Sequence, residues 1–259
     1  WIDMLITGYL GTATDVGFYG AALRVGVVSS AIFLAFTTVF TPVISDLHNR
    51  HISRELHILY KTVTRWIFIC TLPMVLLQLL FADPIMNMFG SQFAAGSKAL
   101  MILALSQLVN AASGPAGYMV LMSGRSRLEL LNISVALAIN VAACFLLIPQ
   151  YGVVGAALAN LAASFAINLM RAAQVWFFMR MHAYYRGYLK PALAGAAAAV
   201  VADQAGRFMD ASSGPAPVIA LASMMLLVFL AGILLLGIDA EDKAVLLLVK
   251  ARLGRNGTT

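Results

Sequence analysis

Arg24 is the residue in this sequence that most needs a chemical reason. It ends the stretch Tyr19-Gly20-Ala21-Ala22-Leu23-Arg24, seven residues into an apolar run that begins at Gly17. That is about 10 Å along a helix rising ~1.5 Å per residue. A guanidinium at such a depth must face a bundle interior, a watery cavity or a carboxylate. Asp3 in the preceding run is the obvious carboxylate. Two readings therefore stand side by side: a structural Arg24–Asp3 ion pair, and a cavity-lining arginine whose planar fork of donors binds an anion. A switch between the two states satisfies both.

Other polar residues recur at helical spacing. Asn160, Ser164, Asn168 and Arg171 stand at i, i+4, i+8 and i+11, which is one face of an α-helix, so one polar stripe looks inward. Gln107, Asn110, Ser113 and Gly114 are similarly spaced, and Asn132 and Asn140 are eight apart. Such stripes either hydrogen-bond between helices or line a hydrophilic path. Pro42, Pro73 and Pro115, the last flanked by Gly114 and Gly117, can kink helices and act as hinges. Gating and simple packing adaptation are both open for each.

Catalytic signatures are absent. The sequence holds no HExxH, GxxxxGK[ST], GxSxG or CxxC, so the reading is of a non-enzyme, with no cofactor and no metal site. His48, His51, His57 and His182 fall in or beside short connections, where a solvated or headgroup-facing role is expected. Cys70 and Cys144 lie inside apolar runs as small hydrophobes.

The elements that must position these residues follow from composition. Of 259 residues, 61% are hydrophobic and 11% charged, with a mean hydropathy of +0.89. A soluble domain carries about a quarter charged residues, so this is a membrane protein. The net charge of +6 points to topology rather than nucleic acid, because the basic residues are scattered between apolar runs. Apolar runs at about 1–10, 17–45, 63–82, 97–122, 128–148, 152–179, 188–206 and 216–237 give eight segments, seven of them long enough to span. They lack the alternation of barrel strands. The fold class is all-α, a polytopic transmembrane helix bundle. The first run is half a span and lacks signal-peptide features, so the chain is read as the C-terminal part of a longer protein.

Alternating the connections places 14 of the 17 Lys and Arg residues on one side, among them Arg50, Arg54, Lys61, Arg65, Arg125, Arg127, Arg180, Arg186 and Lys190. By the positive-inside rule that side is cytoplasmic, as is the C-terminus. The 46–66 connection, with Glu55, Lys61 and Arg65 between Leu56, Leu59, Trp66 and Ile67, is expected to be an amphipathic helix on the membrane surface. Ala244–Leu253 has the same character.

Four stretches then resemble the C-terminal half of a polysaccharide or O-antigen flippase of the multidrug/oligosaccharidyl-lipid/polysaccharide exporter superfamily. Asp3–Gly11 followed by Val16–Arg24 resembles the end of that family's seventh helix and the start of its eighth. Phe40-Thr41-Pro42-Val43-Ile44-Ser45 resembles the inner end of the eighth, Met122-Ser123-Gly124-Arg125 the turn after the tenth, and Leu147–Ala157 the tight turn between the eleventh and twelfth. The likeness runs from Asp3 to about Arg180, and the last two segments fit by count alone.

The resemblance implies the second lobe of a MATE-like transporter over 1–180, with its first helix truncated, two additional transmembrane helices over 181–242 and a basic cytoplasmic tail over 243–259. It implies an alternating-access flippase of undecaprenyl-pyrophosphate-linked oligosaccharide in the bacterial cytoplasmic (inner) membrane, serving cell-surface polysaccharide or lipopolysaccharide synthesis. Its partners would be the bilayer, the lipid-linked oligosaccharide, the missing N-terminal lobe and a glycan polymerase or ligase, with no nucleic acid. Arg24 matches the position of a cavity-facing arginine that would meet the pyrophosphate, with Asp3, Gln107, Asn110, Asn160, Ser164, Asn168 and Arg171 as further cavity-lining residues. The alternatives are a cation-coupled multidrug exporter using Asp3, with Asp203 second, a polyprenol-dependent glycosyltransferase, and a non-transporting scaffold of a glycan-assembly complex.

Overall fold

The computed structural model of the chain describes residues 1–184, 186–206 and 215–236. Every regular element among them is helical, as lipid demands, since a helix satisfies its own backbone polar groups. The helices are α1 (Ile2–Leu10), α2 (Ala13–Asn49), α3 (Ser53–Leu80), α4 (Ala82–Asn87), α5 (Ser97–Ser113), α6 (Ala116–Met122), α7 (Ser126–Tyr151), α8 (Val153–Met179), α9 (Leu189–Gly206) and α10 (Pro215–Leu236). By length and composition six helical stretches can cross a membrane: Ala13–Asn49, Ser53–Leu80, Ser91–Ser113, Ser126–Tyr151, Val153–Met179 and Ala216–Leu235. α9 is not among them, because Lys190, Pro191, Asp203 and Gln204 lower the mean hydropathy of its 18 residues.

Local chemistry sets the boundaries. Thr12 caps α2 reciprocally with Asp15: the Asp15 N–H donates to Thr12 Oγ1 at 3.2 Å and the Thr12 N–H to Asp15 Oδ2 at 2.8 Å. The turn between α7 and α8 is Gly152 alone, at φ +56°. Three residues on, Gly155 packs so closely that a Cβ there would lie 2.2 Å from the Leu147 carbonyl oxygen. Pro149 sits inside α7, so the turn expected over Pro149–Gly152 is shorter than its sequence suggests.

The expected surface helix over 46–66 does not form as a separate element. α2 runs to Asn49 and α3 starts at Ser53, so the connection is three residues, with His51 at φ +58°. Leu56, Leu59, Tyr60, Val63 and Ile67 are buried with Phe40, Ile44 and Leu47 of α2 and Met119 and Val120 of α6. The helix period that read as amphipathic is the inward face of a helical hairpin. Its arms outrun the bilayer core: α2, with 37 residues, is about 55 Å long against a hydrocarbon thickness of roughly 30 Å.

Two apolar clusters hold the two ends of the bundle. The first joins α2, α3, α6 and α8 near the turns at 50–52 and 123–125. Because this end carries Arg50, Arg54, Arg125, Arg127 and Arg180, it is called the basic end below. The second cluster, with Ile6, Tyr19, Ala22, Met86, Leu100, Ile148 and Ala156, joins α1, α2, α4, α5, α7 and α8 at the opposite end. A third packs α9 and α10 on α3 through Leu72, Ala194, Ala198, Leu221 and Phe229. Large apolar side chains such as Leu130, Leu137, Leu146, Leu227 and Leu234 point outward, the arrangement suited to a lipid solvent. The segment 207–214 and the tail 237–259, with Lys243, Lys250, Arg252 and Arg255, lie outside the described residues.

Candidate functional site

Asp3 is 5% exposed and Tyr19 fully buried. The Tyr19 hydroxyl donates to Asp3 Oδ2 at 2.5 Å and Asn160 Nδ2 donates to the same oxygen at 3.1 Å. One carboxyl thus ties α1 to α2 and α8, which is how a buried acid is kept in an apolar bundle. The expected Arg24–Asp3 pair is therefore not formed. Arg24 lies five residues beyond Tyr19, about 140° further round the helix at 3.6 residues per turn. Its side chain is exposed, with no ion pair among the described residues. It shares an outward face of α2 with Val28, Ala31, Ala35, Thr38 and Pro42, all exposed or half-buried and mostly small.

The stripe on α8 does look inward, and its members reach different helices. Asn160 meets Asp3 of α1. Asn168 donates to Asn110 Oδ1 of α5 at 2.6 Å and to the Ser164 carbonyl at 2.8 Å, and Asn110 donates to Gln107 Oε1 at 3.4 Å. Arg171 turns to α7, where its Nε donates to both Glu129 carboxylate oxygens at 3.1 and 3.3 Å and its Nη2 closes a second contact. One turn further, Asn132 and Gln174 exchange two amide hydrogen bonds at 2.8 and 2.7 Å. Asn160, Asn168, Arg171 and Asn132 thus hydrogen-bond between helices. Another such tie, Gln78 of α3 to the Val25 carbonyl and Ser29 of α2, both at 3.1 Å, joins residues that sequence spacing did not single out.

Glu129, Tyr19 and Gln174 are partners of the expected site residues that their own spacing did not single out. A signal for Glu129 existed: it is the acid nearest the basic end of its helix, at the depth at which Arg171 needs a counter-ion. The pair floors a cavity of about 490 Å³ between α2, α6, α7 and α8, lined also by Phe33, Gly117, Tyr118, Leu121, Ser126, Leu130 and Ile133.

The hinge candidates differ in kind. Pro42 and Pro73 sit within unbroken α2 and α3. Gly114 and Pro115 break what looked like one segment over 97–122 into α5 and α6. Gly114 is at φ +56° and a Cβ there would come within 2.2 Å of Thr64 Oγ1, so only glycine fits this turn.

At the basic end a smaller cavity of about 200 Å³ is lined by His48, His51, Ser53, Arg125 and Phe178 among others. Arg125 lies 4.5 Å over the Phe178 ring. His57 and His182 stack edge-to-face with ring centroids 5.3 Å apart. Among the described residues no group of three His, Cys, Asp or Glu side chains could hold a metal.

The probable low-salt glycan biosynthesis flippase Agl15 of Haloferax volcanii is 26% identical over 186 residues, which is 71% of this chain and 37% of that protein. Among solved structures, the lipid II flippase MurJ in an inward closed conformation matches with a TM-score of 0.74 at 16% identity, over 89% of this chain and 49% of that one. This second likeness is one of fold. The chain therefore spans half or less of the length of the proteins it matches. Both carry the names of transporters, not of enzymes. The MatE family model matches residues 1–146, more than half of the chain, and this multi-pass, all-α membrane protein belongs to the MatE family.

Proposed function

We propose that the chain is the second lobe, with two further helices, of a transporter that flips a lipid-linked oligosaccharide across the bacterial cytoplasmic membrane by alternating access. Residues 1–180 form the lobe, its first helix cut short, and α9 and α10 are the additional pair. The basic end faces the cytoplasm, by the excess of Lys and Arg at its turns. The partner is an N-terminal lobe, which completes the cavity, and the cargo is an oligosaccharide on undecaprenyl pyrophosphate. A glycan polymerase or ligase acts on what is delivered.

The observation that carries this reading is the state of Arg24. It is a guanidinium in an apolar span, exposed on the outward face of α2, while the Asp3 carboxyl is held by Tyr19 and Asn160. A cation left uncompensated in such a span suits an anion arriving from outside the lobe, and a guanidinium matches phosphate oxygens two at a time. The names of the two similar flippases support the class of cargo. Arg24→Ala in the complete protein abolishes export of the glycan while insertion and abundance stay unchanged; export that survives makes Arg24 dispensable and removes the main support.

The cation-coupled exporter retains one favourable observation, the buried Asp3 carboxyl. Hydrogen bonds from the Met4 N–H, Tyr19 and Asn160 already account for it as a structural tie, so the flippase reading is preferred.

A further inference from the structure

The Glu129–Arg171 pair is not sealed into the bundle. The cavity of about 490 Å³ is lined by the pair, whose low exposure makes it the floor, by Ser126 and Tyr118, and by a rim of Leu121, Leu130 and Ile133. Those three rim residues are exposed, and Leu130 and Ile133 continue along the outward face of α7 into Leu137. The crevice therefore opens sideways, where the acyl chains of a bilayer would lie. Its floor lies toward the basic end: Glu129 is three residues from the start of α7 and Arg171 eight from the end of α8, about 4.5 and 12 Å along the helices. Gly117 keeps the guanidinium in place from the α6 side, since a Cβ there would lie 2.8 Å from Arg171 Nε. This crevice is separate from the Arg24 face. Phe33, on its border, is nine residues from Arg24, about half a turn round α2.

We propose that the crevice is a site for a resident phospholipid with a zwitterionic, amine-bearing headgroup, its phosphate on Arg171, its ammonium against Glu129 and an acyl chain along Leu130 and Ile133. Charge balance selects this occupant. Arg171 turns Nε and Nη2 to Glu129, which leaves the remaining guanidinium N–H groups for phosphate oxygens. Glu129, which also accepts from Asn132 Nδ2 at 3.3 Å, keeps part of its lone-pair capacity for a cation. A headgroup without an ammonium would leave its phosphate sharing the one guanidinium of Arg171 with that carboxylate, two anions against one cation. The volume falls within the usual range for small-molecule pockets, about 300–1,000 Å³, and suits a headgroup whose chains remain in the membrane. The inference does not depend on what the protein transports.

The test is lipid retention by the complete purified protein, measured by native mass spectrometry after exchange into micelles containing phosphatidylethanolamine or phosphatidylglycerol. The unmodified protein retains phosphatidylethanolamine roughly tenfold more tightly, the size of one charge-assisted contact. Glu129→Gln keeps the shape and reverses the preference toward phosphatidylglycerol. Ile133→Trp, at an exposed position that folding tolerates, fills the mouth and removes the retained lipid without touching the ion pair. Equal retention of both lipids, a preference for phosphatidylglycerol in the unmodified protein, or retention unaffected by Ile133→Trp overturns the proposal.

Discussion

Arg171 and Glu129 stand 42 positions apart and meet across the α7–α8 hairpin, with Arg171 Nε 3.1 Å from Glu129 Oε1. The single-residue turn at Gly152 fixes the register that brings them level, and the Asn132–Gln174 amide pair locks the next turn. The hairpin is thus held by polar contacts at its open end and by close backbone packing at Gly155 near its closed end. In a bilayer, where burying apolar surface gives no advantage between helices, such contacts and tight packing do the joining.

Removing one partner of this pair leaves an uncompensated charge. Glu129→Ala should destabilise the protein by about 2–3 kcal/mol, less than for a fully sealed pair because the crevice admits solvent or lipid headgroups. Glu129→Ala with Arg171→Ala should cost less than the sum of the single changes, by about 1 kcal/mol or more. Thermal unfolding of the four proteins in detergent measures this cycle, and strict additivity would show that the contact contributes nothing.

The Asp3 tie gives a second expectation. Tyr19→Phe removes only the hydroxyl that donates to Asp3 Oδ2, and hydrogen bonds to charged groups contribute about 1.5–3 kcal/mol. A lowered melting temperature should result, and Asn160→Ala should lower it in the same direction. If Tyr19→Phe melts unchanged, the carboxyl does not depend on that donor.

Glycines separate steric from conformational demands. Gly114→Ala meets both, with Thr64 2.2 Å away and φ at +56°, whereas Gly124→Ala meets open space at φ +78° and Gly17→Ala meets open space within α2. The expected order of damage is Gly114 first, Gly124 next at about 1–2 kcal/mol, and Gly17 neutral or slightly stabilising by up to about 1 kcal/mol. Yield of folded protein by fluorescence-detected size exclusion ranks the three. A Gly114→Ala protein as abundant as Gly17→Ala would contradict the close approach of α5 and α3.

Arg24 should behave in the opposite way to Arg171. Exposed and without an ion pair among the described residues, it can be replaced by Lys with no change in melting. Because Lys keeps the charge but loses the bidentate fork, Arg24→Lys should retain part of the export that Arg24→Ala loses. Export lost equally in the Lys and Ala variants would mean that charge without the bidentate fork does not suffice at this position.

Much of this was legible in the residues, and the rest has identifiable causes. Spacing of Asn160, Ser164, Asn168 and Arg171 announced an inward face because helical period is local. Which helix each would meet was not local: Asp3 found Tyr19 and Asn160 rather than Arg24 because the rotation of α2 about its axis depends on every helix packed against it. The same holds for Leu56, Leu59 and Val63. Their period is that of an amphipathic helix, but whether the apolar face meets lipid or protein depends on the neighbouring α6. Gly114-Pro115 signalled a bend in sequence, while the contact with Thr64 that makes glycine obligatory there comes from a different helix.

The central claim is that the complete protein moves a lipid-linked glycan between leaflets. The most direct measurement is the amount and leaflet of undecaprenyl-linked oligosaccharide in a strain lacking the full-length gene, compared with rescue by the complete protein. Accumulation on the cytoplasmic leaflet, cleared on rescue, is the predicted result. A deletion strain with no accumulation would contradict the flippase reading and shift the weight to drug export or scaffolding.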